Sequence, residues 1–213
     1  MPTMEDVARQ PLAQRLDRMA GTADDLAAAI RGQSDTILSR RPDGKNWAAK
    51  EVICHLRDTE ELFAGRFELI MTMDQPKLPP LHPSTPDRWA EERQYLRNDA
   101  AEALGAFRRR RDENLAFLRG LSPEQSKRGG VHPTRGTMTI DDWVTLIAWH
   151  DDNHLDQLVP EDGRRCRYLG AGRVPGAYSF GGSGTLSIFE LMSIQPRLRM
   201  QASLSLPFGA HSA

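Results

Sequence analysis

WVTLIAWHDDNHLDQLV, residues Trp143–Val159, is the stretch whose reading decides the fold. Placed on a helix with Trp143 at 0°, Ile147 falls at about 40°, His150 at about 340° and His154 at about 20°. A stripe carrying Trp143 and Ile147 is one that a helix buries. Two imidazoles, one turn apart, therefore lie in the middle of the inward face. Histidine is not a common core residue. A pair at i, i+4 can hold one divalent ion from a rigid backbone. The plainer reading is two core histidines satisfied by hydrogen bonds, and a third ligand from elsewhere is what separates the two readings.

A third imidazole lies upstream. The segment from about Trp47 to Met73 reads as a second long helix with a stripe of Val52, Leu56, Phe63, Phe67 and Ile70. With Val52 at 0°, His55 falls at about 300° and Phe63 at about 20°, so His55 also points along the inner face. His132, in the polar stretch Ser122–Thr139, reads instead as a loop histidine that could stand at the rim of a site. Thr139 is placed to cap the last helix, with Asp141 and Asp142 at its positive end.

The other helices follow from their caps and breakers. Residues 1–20 read as a polar, frayed lead-in or a short first turn. A first helix is expected from about Thr22 to Ser39, opened by Thr22, Asp24 and Asp25 and closed by Arg40-Arg41-Pro42-Asp43-Gly44. The run QPKLPPLHPSTP, Gln75–Pro86, holds five prolines and cannot be helical. Extended at about 3.1 Å per residue it reaches about 34 Å, close to the length of the preceding helix. It can return the chain to the end where that helix began, so the second and third helices are expected to run parallel. The third helix is expected from Pro86, with Thr85 as its cap, to Leu121, with an irregularity near Gly105.

Composition narrows the function. The 213 residues carry 28 Lys and Arg against 29 Asp and Glu, a net charge of −1, which gives no global pull toward nucleic acid or an acidic membrane. The run Arg108–Arg111 is followed at once by Asp112 and Glu113 and has no interleaved aromatics, so it reads as a solvated helix face. No apolar run reaches the roughly 18 residues of a membrane span. The first residues lack an apolar core of signal-peptide length, and Cys54 and Cys166 form no metal-ribbon spacing, so the expected compartment is the cytoplasm. From Glu161 to Ala213 periodicity fades amid Gly, Pro, Ser and Arg. The chain is thus expected to divide into a helical domain over 1–160 and an irregular tail over 161–213, poorly ordered or packed on that domain.

Two elements in order, NWAAKEVICHLRDTE at Asn46–Glu60 and VHPTRGTMTIDDWVTLIAWHDDNHLDQL at Val131–Leu158, resemble the DinB-like superfamily. They look like its Trp-x-x-Lys-Glu-Val-x-x-His-Leu and His-x-x-x-His-x-x-Gln elements, and the resemblance covers roughly residues 20–160. It implies an all-α four-helix bundle of up-down-down-up topology, with the proline-rich crossover between the second and third helices. It also implies a divalent metal ion, zinc or nickel, held by His55, His150 and His154. Ala48 stands where members often carry a Ser or Thr cap, and Asn46 is the expected substitute. The tail after Pro160 resembles no part of the family.

Three neutral imidazoles leave a divalent ion with positions for water or substrate, the pattern of a catalytic rather than a structural site. Two reactions fit: a hydrolase acting through activated water, or a thiol S-transferase using a low-molecular-weight thiol cosubstrate. The resemblance offers both. Asp58, Asp151 and Gln157 are candidates to orient the ligating imidazoles, with Asp152 and Asn153 beside them. Cys54 adjoins His55 in sequence, but neighbouring helical residues point about 100° apart, and it reads as a packed core thiol. The expected partner is a small-molecule substrate, together with a second copy of the chain as a homodimer, and neither nucleic acid nor membrane. The competing reading is a non-catalytic bundle stabilised by its metal and binding a small ligand or protein.

Overall fold

Arg15 of one helix donates to Asp141 of another (2.9 Å) and to Thr145 Oγ1 (2.6 Å), and these bonds fix the direction of the first and last long helices. A computed structural model of the chain describes residues 2–80, 82 and 84–158. In chain order the helices are α1 (Met4–Ala8), α2 (Leu12–Ile30), α3 (Asp35–Leu38), α4 (Ala49–Thr72) and α5 (Thr85–Glu92), then a 3₁₀ turn at Tyr95–Arg97. They continue with α6 (Ala100–Arg119) and α7 (Pro123–Ser126), a hairpin of β1 (Gly129–His132) and β2 (Gly136–Thr139), and α8 (Ile140–Leu158). The tail expected over 161–213, and the boundary before it, lie outside the described residues.

Helix directions follow from which residues meet. Arg15 meets Asp141 and Thr22 meets Asp151, so α2 and α8 are parallel. Arg110 binds the carbonyl of Arg57, Asn114 binds Glu60, and Phe117 stacks on Phe67, so α4 and α6 are parallel too. Arg108 pairs with Asp24 while Arg119 pairs with Asp17, which makes α2 and α6 antiparallel. The result is the up-down-down-up bundle expected of the sequence. Its core forms two clusters along the axis. One holds Met19, Phe63, Phe67, Trp143 and Ile147; the other holds Leu26, Trp47, Val52, Phe107 and Leu155.

Several boundaries differ from those expected. The first long helix begins at Leu12, not Thr22, because Leu16, Met19, Ala23 and Leu26 are all buried and continue one stripe. Arg15 made that start look polar, yet it is 4% exposed, held by Asp141 and Thr145. The same helix stops at Ile30, before Gly32 at φ 72°, and Ser34 caps the separate α3. The lead-in is itself capped helix, with Thr3 accepting from the Asp6 amide.

The expected third helix is two helices. Gln94 adopts φ 51°, which breaks the chain, and Asp99 then accepts from the Glu102 amide at 2.8 Å to start α6. No irregularity marks Gly105, which α6 runs through. The crossover is therefore longer than Gln75–Pro86: it runs from Met73 to Asp99 and contains α5 and the 3₁₀ turn. It is tied down at Asp58, whose carboxylate takes bonds from the Tyr95 hydroxyl and from Arg93. Its first part is joined to the hairpin, with the Leu78 amide donating to the Val131 carbonyl at 2.9 Å. Ser122–Thr139 is α7 and this hairpin rather than a plain loop; Gly129 fits there because a Cβ would lie 2.7 Å from the Met138 carbonyl oxygen.

Candidate metal centre

The N-terminal part of α4 and the C-terminal part of α8 run antiparallel, and their facing stripes bring the histidines together. Nε2 of His150 lies 3.3 Å from Nε2 of His55 and 3.0 Å from Nε2 of His154. One ligand atom from each of the three lies within 4.8 Å of the others. All three residues are 2–3% exposed. Ligands about 2.1 Å from a tetrahedral ion stand roughly 3.4 Å apart, so the three nitrogens are spaced to share one ion.

The donor chemistry fits as well. Burial, then the two neighbouring imidazoles, pushes His55 well below the ordinary histidine range. Burial and His150 push His154 down to about 3. Both are therefore neutral near pH 7 and present lone pairs, the form that binds metal. Nδ1 of His154 is 3.0 Å from Oε1 of Gln157. With the amide oxygen accepting, Nδ1 carries the proton and Nε2 is left free to face the other imidazoles.

Of the other candidates, Asp151 is completely buried and close: its Oδ1 is 3.9 Å from Nδ1 of His150, outside hydrogen-bond reach. Its firm partners are Arg111 and Thr22 Oγ1 (2.8 Å). Burial works to raise its pKa, but the Arg111 guanidinium outweighs it and holds Asp151 well below the usual carboxylate range. Asp58 points elsewhere, to Arg57 (2.7 Å), Arg93 and Tyr95 (2.8 Å), and fixes the crossover rather than an imidazole. Asp152 binds Arg18 at 2.6 Å, and Asn153 binds the Trp149 carbonyl at 2.7 Å. Cys54 is fully buried against the Tyr95 carbonyl, and burial pushes its thiol up to about 11.

Three features of the surroundings were not anticipated. Trp47 lies edge-on to His55, with ring centroids 4.9 Å apart, and parallel to His154 at 6.4 Å. Its indole N–H donates to Asp87 Oδ1 at 2.9 Å, so α5 of the crossover holds it in place. The Trp beside the histidine element was visible in the sequence, but its partner forty residues on was not. Helix α4 is opened not by Asn46, which bonds Asp43, but by Glu51, whose carboxylate accepts from the Ala48 amide at 2.8 Å. His132 is not a surface residue: it is 3% exposed, with its ring centroid 5.8 Å from that of Trp143.

Residues 18–158 match the family model described as the DinB superfamily. The chain belongs to the DinB superfamily. Two relatives are each named "Putative metal-dependent hydrolase". YfiT of Bacillus subtilis is 27% identical over 135 residues, 63% of this chain and 74% of that protein. A protein of Oceanobacillus iheyensis is 30% identical over 114 residues, 53% of this chain and 63% of that protein. A solved structure of YfiT, described as having an unusual four-helix bundle topology, superposes with a TM-score of 0.63 at 24% identity, covering 69% of this chain and 83% of that one. At that identity the likeness speaks to the DinB fold alone. No helix among the described residues is long and apolar enough to cross a membrane.

Proposed function

We propose that the chain is a metal-dependent enzyme in which His55, His150 and His154 hold one divalent ion, zinc or nickel, and that it hydrolyses a small-molecule substrate. The observation that carries this reading is the convergence of three buried imidazole nitrogens, 3.0 and 3.3 Å from the central one, from helices distant in sequence. An ion bound by three histidines keeps coordination positions for water or substrate and supplies Lewis acidity there.

The chain's own residues divide the remaining work. Gln157 fixes the tautomer of His154. Trp47 packs against two of the imidazoles, and the burial of all three strengthens any charge interaction at the site. Cys54 meets the Tyr95 carbonyl and burial keeps its thiol protonated, so it is not the nucleophile in this reading. The nucleophile is water in a hydrolase and a low-molecular-weight thiol in an S-transferase. The names of the two relatives favour the hydrolase.

The test is a panel of ester, amide and electrophilic thiol-acceptor substrates. It is run with the full chain loaded with zinc or nickel, with and without added thiol, and repeated after chelation. Turnover that needs the metal and not the thiol supports hydrolysis; turnover that needs both supports S-transfer. A loaded protein inert across the panel, and one that unfolds when chelated, would favour the non-catalytic reading.

A further inference from the structure

The sequence run Arg108–Arg111 has no part in the centre just described, and the structure takes it apart. Arg108 pairs with Asp24, Arg110 with Glu61 and the Arg57 carbonyl, and Arg111 is buried between Glu60 and Asp151. Arg109 alone makes no hydrogen bond, ion pair or ring contact among the described residues. Its guanidinium lies back along α6, 3.6 Å from where a Cβ on Gly105 would stand. There it lines an open groove of about 880 Å³ between α4, the 3₁₀ turn and the start of α6.

Four arginines line this groove: Arg57, Arg93, Arg97 and Arg109. Its two carboxylates are Asp99 and Glu102, and neither pairs with any arginine among the described residues; Asp99 is occupied capping α6. Among the described residues, the carboxylate that engages the groove's arginines is the buried Asp58, which binds Arg57 and Arg93 and also lies 3.5 Å from Arg110. One carboxylate thus serves both Arg57 and Arg93, Arg110 has Glu61 besides, and among the described residues Arg97 reaches the neutral Gln94. The other walls are small or polar, with alanines and Gly105 in place of bulky apolar groups. No large apolar side chain is among its lining residues. Arginine forks in surplus recognise oxyanions, above all phosphate, through paired N–H bonds.

We infer that this groove binds a small phosphate- or pyrophosphate-bearing molecule, with Arg97 and Arg109 as its principal contacts. The site is separate from the metal centre. Arg57 follows His55 by two positions, about 200° around α4, so the groove opens on the outside of the helix whose inside carries the imidazole. The groove volume suits a metabolite-sized ligand. The chain's net charge of −1 offers no wider basic surface for a nucleic acid.

The test is calorimetric titration of the full chain with inorganic pyrophosphate at low ionic strength, where exposed charges are least screened. One saturable site is expected, weakened roughly tenfold by Arg109→Ala and further by Arg97→Ala with Arg109→Ala. Arg108→Ala, outside the groove, should leave it unchanged. His150→Ala should leave it unchanged as well, which separates this binding from chelation at the metal centre. Absence of saturable binding overturns the inference, as does equal affinity in the double variant or loss of binding in His150→Ala. Tighter binding of a single-stranded oligonucleotide than of pyrophosphate, at the same arginines, would overturn the small-molecule assignment.

Discussion

Nε2 of His55 and Nε2 of His150 lie 3.3 Å apart across two antiparallel helices, although 95 positions separate them in sequence. Three imidazoles this close in a buried interior have little reason to converge unless they share a ligand. The bundle, however, has an apolar core of its own. Its two apolar clusters surround the histidines on both sides along the axis. His154→Ala should therefore keep the helical circular-dichroism signal of the wild type at 25 °C. The thermal midpoint should fall modestly, by the lost linkage of on the order of a few kcal/mol at saturating metal. Unfolding of the variant at 25 °C would show that the ion holds the fold together, as in small zinc domains.

Among the described residues, Gln157 meets the centre through Nδ1 of His154. Gln157→Leu keeps the size and removes the acceptor, so the imidazole loses its fixed tautomer. Metal affinity, measured by competition with a chromogenic chelator, should drop about 10- to 100-fold with the helical signal unchanged. Affinity equal to wild type would mean that packing alone orients His154.

Arg111 is 1% exposed and is shared by the carboxylates of Glu60 and Asp151, which are 1% and 0% exposed. Arg111→Met leaves two uncompensated carboxylates in the core. The expected loss is about 3–5 kcal/mol in denaturant unfolding. Arg108→Ala, which breaks an exposed pair with Asp24, should cost under about 1 kcal/mol. Combining Arg111→Met with Glu60→Gln and Asp151→Asn should recover part of the loss.

Asp58 supplies a pH dependence. Burial works to raise its pKa, but bonds from Arg57, Tyr95 and Arg93 outweigh it, and the folded value lies below the ordinary one. Its contribution to stability is therefore complete above the unfolded carboxylate pKa of about 4 and is lost as pH falls through the lower folded value. The stability gap between wild type and Asp58→Asn should be constant from pH 5 to 7 and narrow below about pH 4. A gap that widens on acidification would reverse the sign.

The parts of this protein that obey a short-range rule were legible in its sequence. Thr139 and Asp142 bond each other's amides, as the start of the last helix demands, and the three histidines sit on their inward stripes. The parallel course of α4 and α6 was expected as well, although the crossover that allows it is Met73–Asp99 and not the proline-rich segment alone. What was not legible depends on partners far along the chain. Arg15 and Arg111 read as solvated charges, since nothing local reveals Asp141, Glu60 or Asp151 beside them. The break between α5 and α6 is set by a left-handed Gln94 and by Tyr95 reaching Asp58, and neither has a local signature. His132 misled for the same reason: a polar stretch became a hairpin packed on Trp143.

Metal content measured by mass spectrometry on untagged protein tests the central claim most directly. Wild type should retain one divalent ion per chain after gel filtration, and His55→Ala, His150→Ala and His154→Ala should each lose it while remaining folded. Wild type that takes up no divalent ion, or the three variants retaining it at full occupancy, would contradict the assignment of these histidines as a metal centre.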